Sequence, residues 1–407
     1  MNLKLVGNSK LLADYTLRGT QPARPVPGTR FNRIAYSAAH VVANPRAAID
    51  PWLQCAVDWD ATIAYRQHLW SLGLGVAEAM DTAQRGMGLD WPTSLELIAR
   101  SLDAAKDFNA QNSSTGSAQA LVASGCGTDH LKLDEVTTVD QVIAAYETQM
   151  EAIEKLGGTL IVMASRALAR VAKSPADYER VYDRILRQAK QPVVLHWLGD
   201  MFDPALAGYW GTKDVDAAMD TALGIIAAQP AKVDGIKISL LNKDKEIAMR
   251  RKLPTTGGAD GQGVRMYTGD DFNYAELIAG DGFGTAPTHG KSDALLGIFD
   301  AIAPAASAAL GALAAGNVEQ FHAILGPTVP LSRHIFAAPT RYYKTGVVFM
   351  AWLNGHQGHF TMIGGQQSTR SLVHLCELFR LADAANLLEH PELAVHRMKT
   401  LLAMHGV

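Results

Sequence analysis

The sequence has little of the features that assign a chain to a secreted, membrane or zinc-finger class. Its 407 residues contain only 3 cysteines, Cys55, Cys126 and Cys376, which lie far apart and lack the spacing of a metal-binding motif. So few cysteines argue against a disulfide framework and fit a reducing compartment. No apolar run reaches the roughly 18 residues of a membrane span, and the polar N-terminal stretch does not resemble a signal peptide. We therefore expect a soluble, cytoplasmic protein.

Charge of either sign is also scarce. The formal net charge is -3, 19% of the residues are charged, and no long basic run is present. This balance argues against nucleic acid and against an anionic membrane surface as partners, so we expect a small-molecule ligand. With 48% hydrophobic residues, the chain can bury the core of one large α/β barrel or of two ordinary domains.

Short apolar runs alternate with amphipathic helical patterns from about residue 30 onward. The candidate strands are residues 33–42, 74–80, 119–125, 159–165, 192–197, 233–239, 265–269 and 282–288. Several are continuously hydrophobic, as is typical of parallel strands covered on both faces. Eight strands with helices between them predict a (β/α)8 TIM barrel. A doubly wound sheet is the alternative, although no glycine-rich phosphate loop follows the first strand.

Helical patterns fill the gaps between the strands and the whole C-terminal part. Thr138 and Gln141 form a capping box before one helix, and Ser174 with Pro175 begins another. The strand signal stops after residue 292, and four helical segments follow it. We predict an N-terminal extension (1–30), the barrel (31–292) and a C-terminal helical region packed on it (293–407). The glycine-rich segment 254–263 is predicted to be a surface loop or an active-site lid.

A lysine inside the sixth candidate strand, 233-VDGIKIS-239, carries the functional prediction. Lys237 is predicted to lie near the C-terminal end of that strand, where barrel enzymes place their catalytic groups. Burial there lowers the pKa of an amine and makes the neutral form available as a nucleophile toward a carbonyl carbon. The product is an imine, which stabilises a carbanion on the adjacent carbon. A lysine that reaches the rim or pairs with a carboxylate is the structural alternative.

Four short motifs, in order along residues 30–390, resemble the dihydrodipicolinate synthase / N-acetylneuraminate lyase family. The segment 233–239 resembles the Schiff-base strand of that family, usually G-I-K-D-S, and 191-QPVVLHWLGDMFDP-204 resembles its P-V-x-L-Y-N-x-P strand. Residues 265–285 resemble its S-G-D-D segment, and 338-APTRYYKTGVV-348 resembles a segment with a proline and a lysine before a helix. The resemblance implies a class I aldolase-type lyase that needs no cofactor and forms a homo-oligomer.

Two departures from the family concern the site itself. His196 stands where the family has a tyrosine that shuttles protons near the imine; a histidine can do the same work, or it can be a core residue bonded to the backbone. The G-T-T-G-E loop that binds a carboxylate is absent, and residues 78–93, which include Asp81 and Thr82, take its place. The substrate class therefore stays open between a keto acid and a keto-sugar.

Other polar side chains follow the candidate strands and could hold a substrate rich in hydroxyl groups. The predicted substrate-binding residues are Asp81, Thr82, His130, Ser165, Arg166, Asp200 and Thr285. Candidates on position alone are His40, Asp129, Asp270, Asp271, His289 and Lys291, of which Asp270 and Asp271 precede a helical stretch and are predicted to be caps.

Two other functions remain open on the sequence alone. Glu78, Asp81, His130, His196 and His289 all follow candidate strands, and a subset of them could bind a divalent metal for sugar isomerisation, epimerisation or lyase chemistry. The barrel could also bind a sugar without catalysis, because a fold does not determine a function.

A separate pair, His356 and His359, has ligand-like spacing but lies in the helical C-terminal part. We predict no metal in the leading hypothesis.

Overall fold

The computed structural model describes residues 1–7, 11–25, 30–112, 119–284 and 288–407. Within this part, eight parallel strands form a closed barrel in the order β10-β3-β4-β5-β6-β7-β8-β9, and an antiparallel hairpin, β1-β2, precedes it. The strands are β1 (Asn2–Val6), β2 (Leu12–Thr16), β3 (Ala35–Ala38), β4 (Gly75–Glu78), β5 (Val122–Cys126), β6 (Thr159–Val162), β7 (Val193–Leu198), β8 (Val233–Ser239), β9 (Arg265–Thr268) and β10 (Asp293–Leu296). The predicted TIM barrel with a C-terminal helical region is confirmed.

Helices surround the barrel and continue beyond it. Those up to the last strand are α1 (Trp59–Ser71), α2 (Trp91–Asn112), α3 (Val139–Lys155), α4 (Arg166–Val171), α5 (Pro175–Gln188), α6 (Val215–Ala228), α7 (Lys243–Arg250) and α8 (Tyr274–Ala279). Those after it are α9 (Ile298–Ala301), α10 (Ala303–Ala314), α11 (Val318–Leu325), α12 (Val329–Ile335), α13 (Tyr343–Leu353), α14 (Leu372–Ala384) and α15 (Pro391–Met404). None of the described helices is long and apolar enough to cross a bilayer.

The last barrel strand differs from the prediction. Residues 282–284 form no strand, 285–287 lie outside the described residues, and the strand that closes the barrel is β10. It pairs with β9 on one side and with β3 on the other, so it joins the last strand to the first. The predicted boundary at residue 292 is therefore wrong, because the helical region cannot begin before β10 ends.

Two predicted helix starts can be compared with the structure directly. Thr138 caps α3, its hydroxyl accepts the backbone N–H of Gln141, and the Gln141 side chain returns the bond, so the capping box is confirmed. Ser174 is the N-cap of α5 and Pro175 its first residue, but the Ser174 side chain makes no capping bond. Proline still fits there because the first N–H of a helix has no intrahelical acceptor.

Side chains inside the barrel alternate with side chains that face the helices, as the period of two in a strand requires. Ala38, Ala77, Val194, Tyr267 and Leu295 belong to the apolar cluster that fills the interior. Residues of the opposite phase contact the surrounding helices, and the large apolar core between barrel and helices is built from them. The interior is thus filled by side chains, and open space is left only near the strand ends.

The glycine-rich segment 254–263 lies at the N-terminal end of the barrel, because it connects α7 to the start of β9. The backbone N–H of Gly258 donates to the carbonyl oxygen of Pro230, which stands just before β8. His289 lies at the same end, where its Nε2 is 2.7 Å from the Leu253 carbonyl oxygen, and Lys291 directly precedes β10. The lid hypothesis is therefore wrong, since catalytic groups of a barrel stand at the opposite end.

The N-terminal hairpin is attached to the far end of the chain. The Tyr15 hydroxyl donates to Oδ2 of Asp383 at 2.7 Å, and the backbone N–H of Arg18 donates to the same carboxylate at 2.9 Å. Asp383 lies in the last turn of α14, and the apolar side of β1 packs against that helix through Leu3 and Leu5, both buried. The N-terminal hairpin is therefore held against α14 of the C-terminal helical region.

A buried carboxylate couples the stability of the barrel to pH. Glu246 on α7 is 1% exposed and accepts hydrogen bonds of 2.9 Å from the hydroxyls of Thr268 and Ser292. Burial raises its pKa from the ordinary 4.5 to about 8, and nearby Asp270 adds to the rise whereas Arg250 opposes it. Between pH 4.5 and about pH 8, the Glu246 carboxyl is consequently protonated in the folded state and ionised in the unfolded state.

We expect the free energy of unfolding to fall as pH rises through this window, because the proton that the folded chain prefers is lost. The Glu246→Gln variant should match the wild type near pH 5 and exceed it near pH 9 by more than about 1 kcal/mol. Urea unfolding at both pH values measures this difference. Glu96→Gln, at a half-exposed position, is the control, and an identical pH trend in the wild type and Glu246→Gln would contradict the expectation.

Candidate active site

Lys237 is the fifth of seven residues in β8 and faces the barrel interior near the C-terminal strand ends. In the sheet it is paired with His196 of β7 on one side and with Tyr267 of β9 on the other. Its side chain is 8% exposed, and no described residue accepts a hydrogen bond from its Nζ. An amine in this position is desolvated without being tied to a partner.

The charge around Lys237 is set by two carboxylates. Burial lowers the pKa of Lys237, and the nearby carboxylates of Asp271 and Asp81 partly oppose that shift. Asp271 also has an altered pKa, raised to about 7 by burial, although its Oδ1 accepts the backbone N–H of Ile298 at 2.9 Å. A lysine with a lowered pKa and a carboxyl group that titrates near neutrality are the components of proton transfer around a nucleophile.

Close backbone approach makes room for the lysine side chain. Gly269, directly after β9, donates its N–H to the Ile238 carbonyl oxygen at 3.0 Å. A Cβ atom on Gly269 would stand 2.5 Å from that oxygen and 2.8 Å from Cε of Lys237, and it would also meet the Ser239 hydroxyl. Glycine is thus required here by space, because any side chain would displace the lysine or the strand.

His196 is buried beside the lysine. Its Nε2 lies 3.4 Å from the hydroxyl oxygen of Ser239, and its Nδ1 is buried with no hydrogen-bond partner among the described residues. Burial lowers its pKa well below 6.5, and the neighbouring Lys237 lowers it further. The imidazole is therefore neutral at physiological pH, and in that form one ring nitrogen can accept a proton.

A cavity of about 250 Å³ opens above these residues at the C-terminal end of the barrel. Its lining residues include His196 and Leu198 from β7, Asp81 from the turn after β4, and Met163 after β6. Its volume is large enough for a small organic molecule. His196 lines this space and is the sheet neighbour of Lys237, whereas Lys237 itself is not among the lining residues.

Two arginines in the cavity wall are held by carboxylates. The Arg85 guanidinium donates to Oδ1 of Asp129 at 2.7 Å and to the Gly125 carbonyl oxygen at 2.6 Å. The Arg166 guanidinium pairs with Asp203, which follows β7. Side-chain exposure is 2% for Arg85 and 30% for Arg166, so Arg166 is the more accessible cation. Fixed guanidinium groups of this kind can hold an anionic substituent of a ligand.

The C-terminal helical region also contributes to the site. The Tyr343 hydroxyl, at the start of α13, lies 2.8 Å from the Thr82 hydroxyl, and both are buried. Next to it, Lys344 is 4% exposed, and its Nζ donates to the Arg341 carbonyl oxygen at 3.1 Å. Burial lowers the pKa of Lys344 to about 8, whereas nearby Asp81 opposes the shift. The site therefore contains a second desolvated lysine.

The structure brings some of the predicted residues together and leaves others apart. Lys237, His196, Asp81, Thr82 and Arg166 converge at the C-terminal end of the barrel, and Thr82 contacts Tyr343 there. Thr285 lies outside the described residues.

Four predicted substrate-binding residues are outside the lining of this cavity: Thr82, described above with Tyr343, and Ser165, His130 and Asp200. The Ser165 hydroxyl caps α4 by accepting the Leu168 N–H at 2.9 Å. The Nδ1 atom of His130 lies 2.9 Å from the Gln149 side-chain amide, and Asp200 is exposed in the turn after β7.

The five residues of the metal hypothesis do not form a cluster. Glu78 points away from the barrel interior into a buried ion pair with Arg66 on α1, at 2.8 Å. His289 is at the opposite end of the barrel, and His130 is held by Gln149. The two remaining candidates, Asp81 and His196, are too few for a protein-bound divalent ion. This ligand set is therefore excluded.

Several other positional candidates have structural partners. His40 pairs with Asp300 through Nδ1 at 2.8 Å. Asp270 accepts the N–H groups of Phe272 and Asn273 in the turn before α8, but the N-cap of that helix is Asn273 and not Asp270. Asp271 caps α9 and in addition faces Lys237, which the sequence did not indicate.

Sequence reasoning also missed Asp203, Tyr343 and Lys344. The only signal for the last two was the motif at 338–348.

The sequence was compared with protein families and with known proteins. A family model described as "Protein of unknown function (DUF993)" matches residues 3–407. No curated protein matches the sequence significantly.

Solved structures match at low identity. Dihydrodipicolinate synthase from Aquifex aeolicus has a TM-score of 0.61 at 12% identity, with 88% of this chain and 99% of that chain covered. YagE from E. coli K12, a prophage protein belonging to the dihydrodipicolinic acid synthase family, has 0.60 at 13%, covering 88% and 100%. The 4-hydroxy-tetrahydrodipicolinate synthase from Methylacidiphilum fumariolicum SolV has 0.60 at 13%, covering 89% and 99%. At such identities the likeness shows the fold alone. The chain therefore belongs to the DUF993 family, and its barrel has the fold of the dihydrodipicolinate synthases.

Proposed function

We propose that the protein is a Schiff-base-forming lyase of the class I aldolase type that acts on a keto acid or a keto-sugar. The observation that carries the proposal is Lys237: a buried amine for which no described residue is a hydrogen-bond partner, with a lowered pKa, near the C-terminal end of a barrel strand and paired with His196, which lines a cavity. Burying a lysine amine costs desolvation free energy, which a lysine on the surface does not cost, and buried ionisable groups of this kind are common at functional sites. Imine chemistry uses the properties that burial gives it, and it needs neither a metal nor an organic cofactor.

In this proposal the neutral Lys237 amine attacks the carbonyl carbon of the substrate and water leaves, which forms an imine. Protonated at nitrogen, the imine accepts the electron pair of a bond at the adjacent carbon. In a cleavage, the substituent leaves that adjacent carbon as an aldehyde after its hydroxyl loses a proton, and an enamine remains on Lys237. His196 takes or returns the proton at that carbon, a role that its neutral ring and its position beside Lys237 support. Protonation and hydrolysis of the resulting imine release the second product and free the lysine.

The remaining polar groups would hold the substrate. Arg166 lines the cavity and Lys344 lies near Arg166; both suit a carboxylate or another anionic group. Asp81 and Thr82 suit hydroxyl groups. Together these residues support a substrate that carries an anionic group and hydroxyl groups. One structural neighbour, YagE, is described in complex with pyruvate, which supports a keto acid as the reacting unit. A cytoplasmic location and a homo-oligomeric assembly remain predictions of the sequence.

Reduction with borohydride tests the proposal, because it traps an imine as a stable secondary amine. We expect incubation with a panel of 2-keto acids and keto-sugars to give, for the right carbonyl compound, one added mass per chain. Peptide mapping should locate it on Lys237, and its size identifies the carbonyl partner. If no compound of either class gives an adduct, although the protein turns over a substrate found in cell extract, the imine mechanism is wrong.

A further inference from the structure

A second cluster of ligand-type side chains lies outside the cavity, where the barrel meets the C-terminal helices. His68 is near the end of α1, His356 follows α13, and Glu389 stands shortly before α15. One ligand atom of each of the three lies within 4.8 Å of the other two. Among the described residues it is the only group of at least three histidine, cysteine or carboxylate side chains that meets this distance.

The contacts of the cluster leave ligand atoms available. Nε2 of His356 lies 3.0 Å from Oε1 of Glu389, and the ring centroids of His68 and His356 are 4.5 Å apart. Nε2 of His68 is buried, and no described residue bonds to it. A buried polar atom without a partner costs free energy, so this nitrogen indicates that a group from outside the chain completes the site.

Charge at the cluster favours a cation. The Glu389 side chain is 5% exposed, and its Oε2 has one ion-pair partner there, Arg24, which is 57% exposed at 3.3 Å. The negative charge of Glu389 is therefore buried, with one exposed arginine, Arg24, at its outer side.

We propose that His68, His356 and Glu389 bind one Zn²⁺ ion. Two imidazoles and one carboxylate are a ligand set that zinc accepts, whereas Mg²⁺ and Ca²⁺ prefer oxygen alone. Ligand atoms at about 2.0–2.2 Å from zinc are roughly 3.4 Å apart, so the side chains need to shift by no more than about 1.5 Å. Water or the second oxygen of Glu389 supplies the fourth ligand.

The zinc ion would be structural and separate from the candidate active site. Helix α13 begins at the cavity with Tyr343 and runs for 11 residues before the turn that carries His356, a length of roughly 16 Å. The ion would tie α1 of the barrel to the turn after α13 and to the segment before α15. The predicted pair of His356 with His359 is not formed, since Nδ1 of His359 accepts the N–H of Thr361 at 3.1 Å.

Metal binding to the full-length protein tests the proposal. We expect protein freed of metal with EDTA to bind one equivalent of Zn²⁺, to unfold at a higher temperature with it, and to show the visible absorption of nitrogen-ligated Co²⁺ when cobalt is added instead. His68→Ala and Glu389→Gln should each weaken Zn²⁺ binding at least tenfold. His359→Ala, in the same turn as His356, is the matched control and should bind as tightly as the wild type.

Equal Zn²⁺ affinity in the wild type, His68→Ala and Glu389→Gln would overturn the proposal, as would binding below one equivalent with no change in melting temperature. Circular dichroism shows whether the variants fold. If the variants do not fold, the wild-type protein is used alone. A Co²⁺ spectrum that shows no histidine ligation would overturn the proposal. A Co²⁺ spectrum that shows histidine ligation, together with a melting temperature raised reversibly by Zn²⁺, would support it.

Discussion

Replacing Lys237 by arginine is expected to abolish the borohydride-trapped adduct and to lower turnover by a factor on the order of 10⁴ or more. Arginine keeps a positive charge but forms no imine under these conditions, because its guanidinium does not lose a proton. The measurement is intact mass after reduction, combined with the rate on the carbonyl compound that labels the wild type. Lys237→Met, which is close in length and uncharged, should lose the adduct as well.

Lys344 provides the matched control for this experiment, because it is the second buried lysine at the site and its pKa is lowered to about 8. Lys344→Arg retains the cation, and we expect it to keep the adduct. If Lys344→Arg lost the adduct and Lys237→Arg kept it, the nucleophile would be the lysine of α13 and our assignment would be wrong. The two variants thus separate the covalent role from the binding of an anion.

Removing Glu78 is expected to give the largest loss of stability. Its carboxylate pairs with Arg66 at 2.8 Å and accepts the Ser101 hydroxyl at 2.5 Å, and both members of the ion pair are 0% exposed. Glu78→Ala leaves the Arg66 charge buried without its partner, which costs about 3–5 kcal/mol. Urea unfolding of the purified variant measures this loss.

A surface pair gives the comparison for Glu78. Glu96 and Arg100 form an i,i+4 pair at 2.7 Å in which both side chains are about half exposed, 48% and 47%. Glu96→Ala should lower the free energy of unfolding by less than about 1 kcal/mol. A similar small loss for Glu78→Ala would mean that water reaches Arg66, and the buried ion pair would then not stabilise the barrel.

Seven of the eight barrel strands could be predicted because each is a short apolar run between amphipathic helices. The eighth could not, because β10 leads almost directly into the helices α9 and α10, so that its residues continue the apolar run 293–316. A short apolar run of that kind has no period that separates a strand from the first turn of a helix. The run 282–288 was predicted to be the last strand because it lies where the motif of the similar family has a strand.

The site residues that lie on barrel strands could be predicted from the sequence. Lys237 and His196 sit near the ends of neighbouring strands, and parallel pairing brings them side by side. The period of two also explains why Glu78 does not join them: Ala77 fills the interior, so the next side chain faces the helices. Tyr343 and Lys344 come from a helix about a hundred residues beyond Lys237, and their position depends on long-range packing that no local pattern encodes.

The attachment of the N-terminal hairpin to α14 has a consequence for synthesis of the chain. The hairpin leaves the ribosome well before α14, because Tyr15 and its acceptor Asp383 are 368 residues apart. At about 5–20 residues per second, the hairpin waits roughly 20–70 s for its partner. During that time the barrel can close, since β10 ends at Leu296, while Leu3 and Leu5 remain exposed to water. A hairpin that is made before the barrel is therefore among the last elements to reach its native place, and it must avoid aggregation until then.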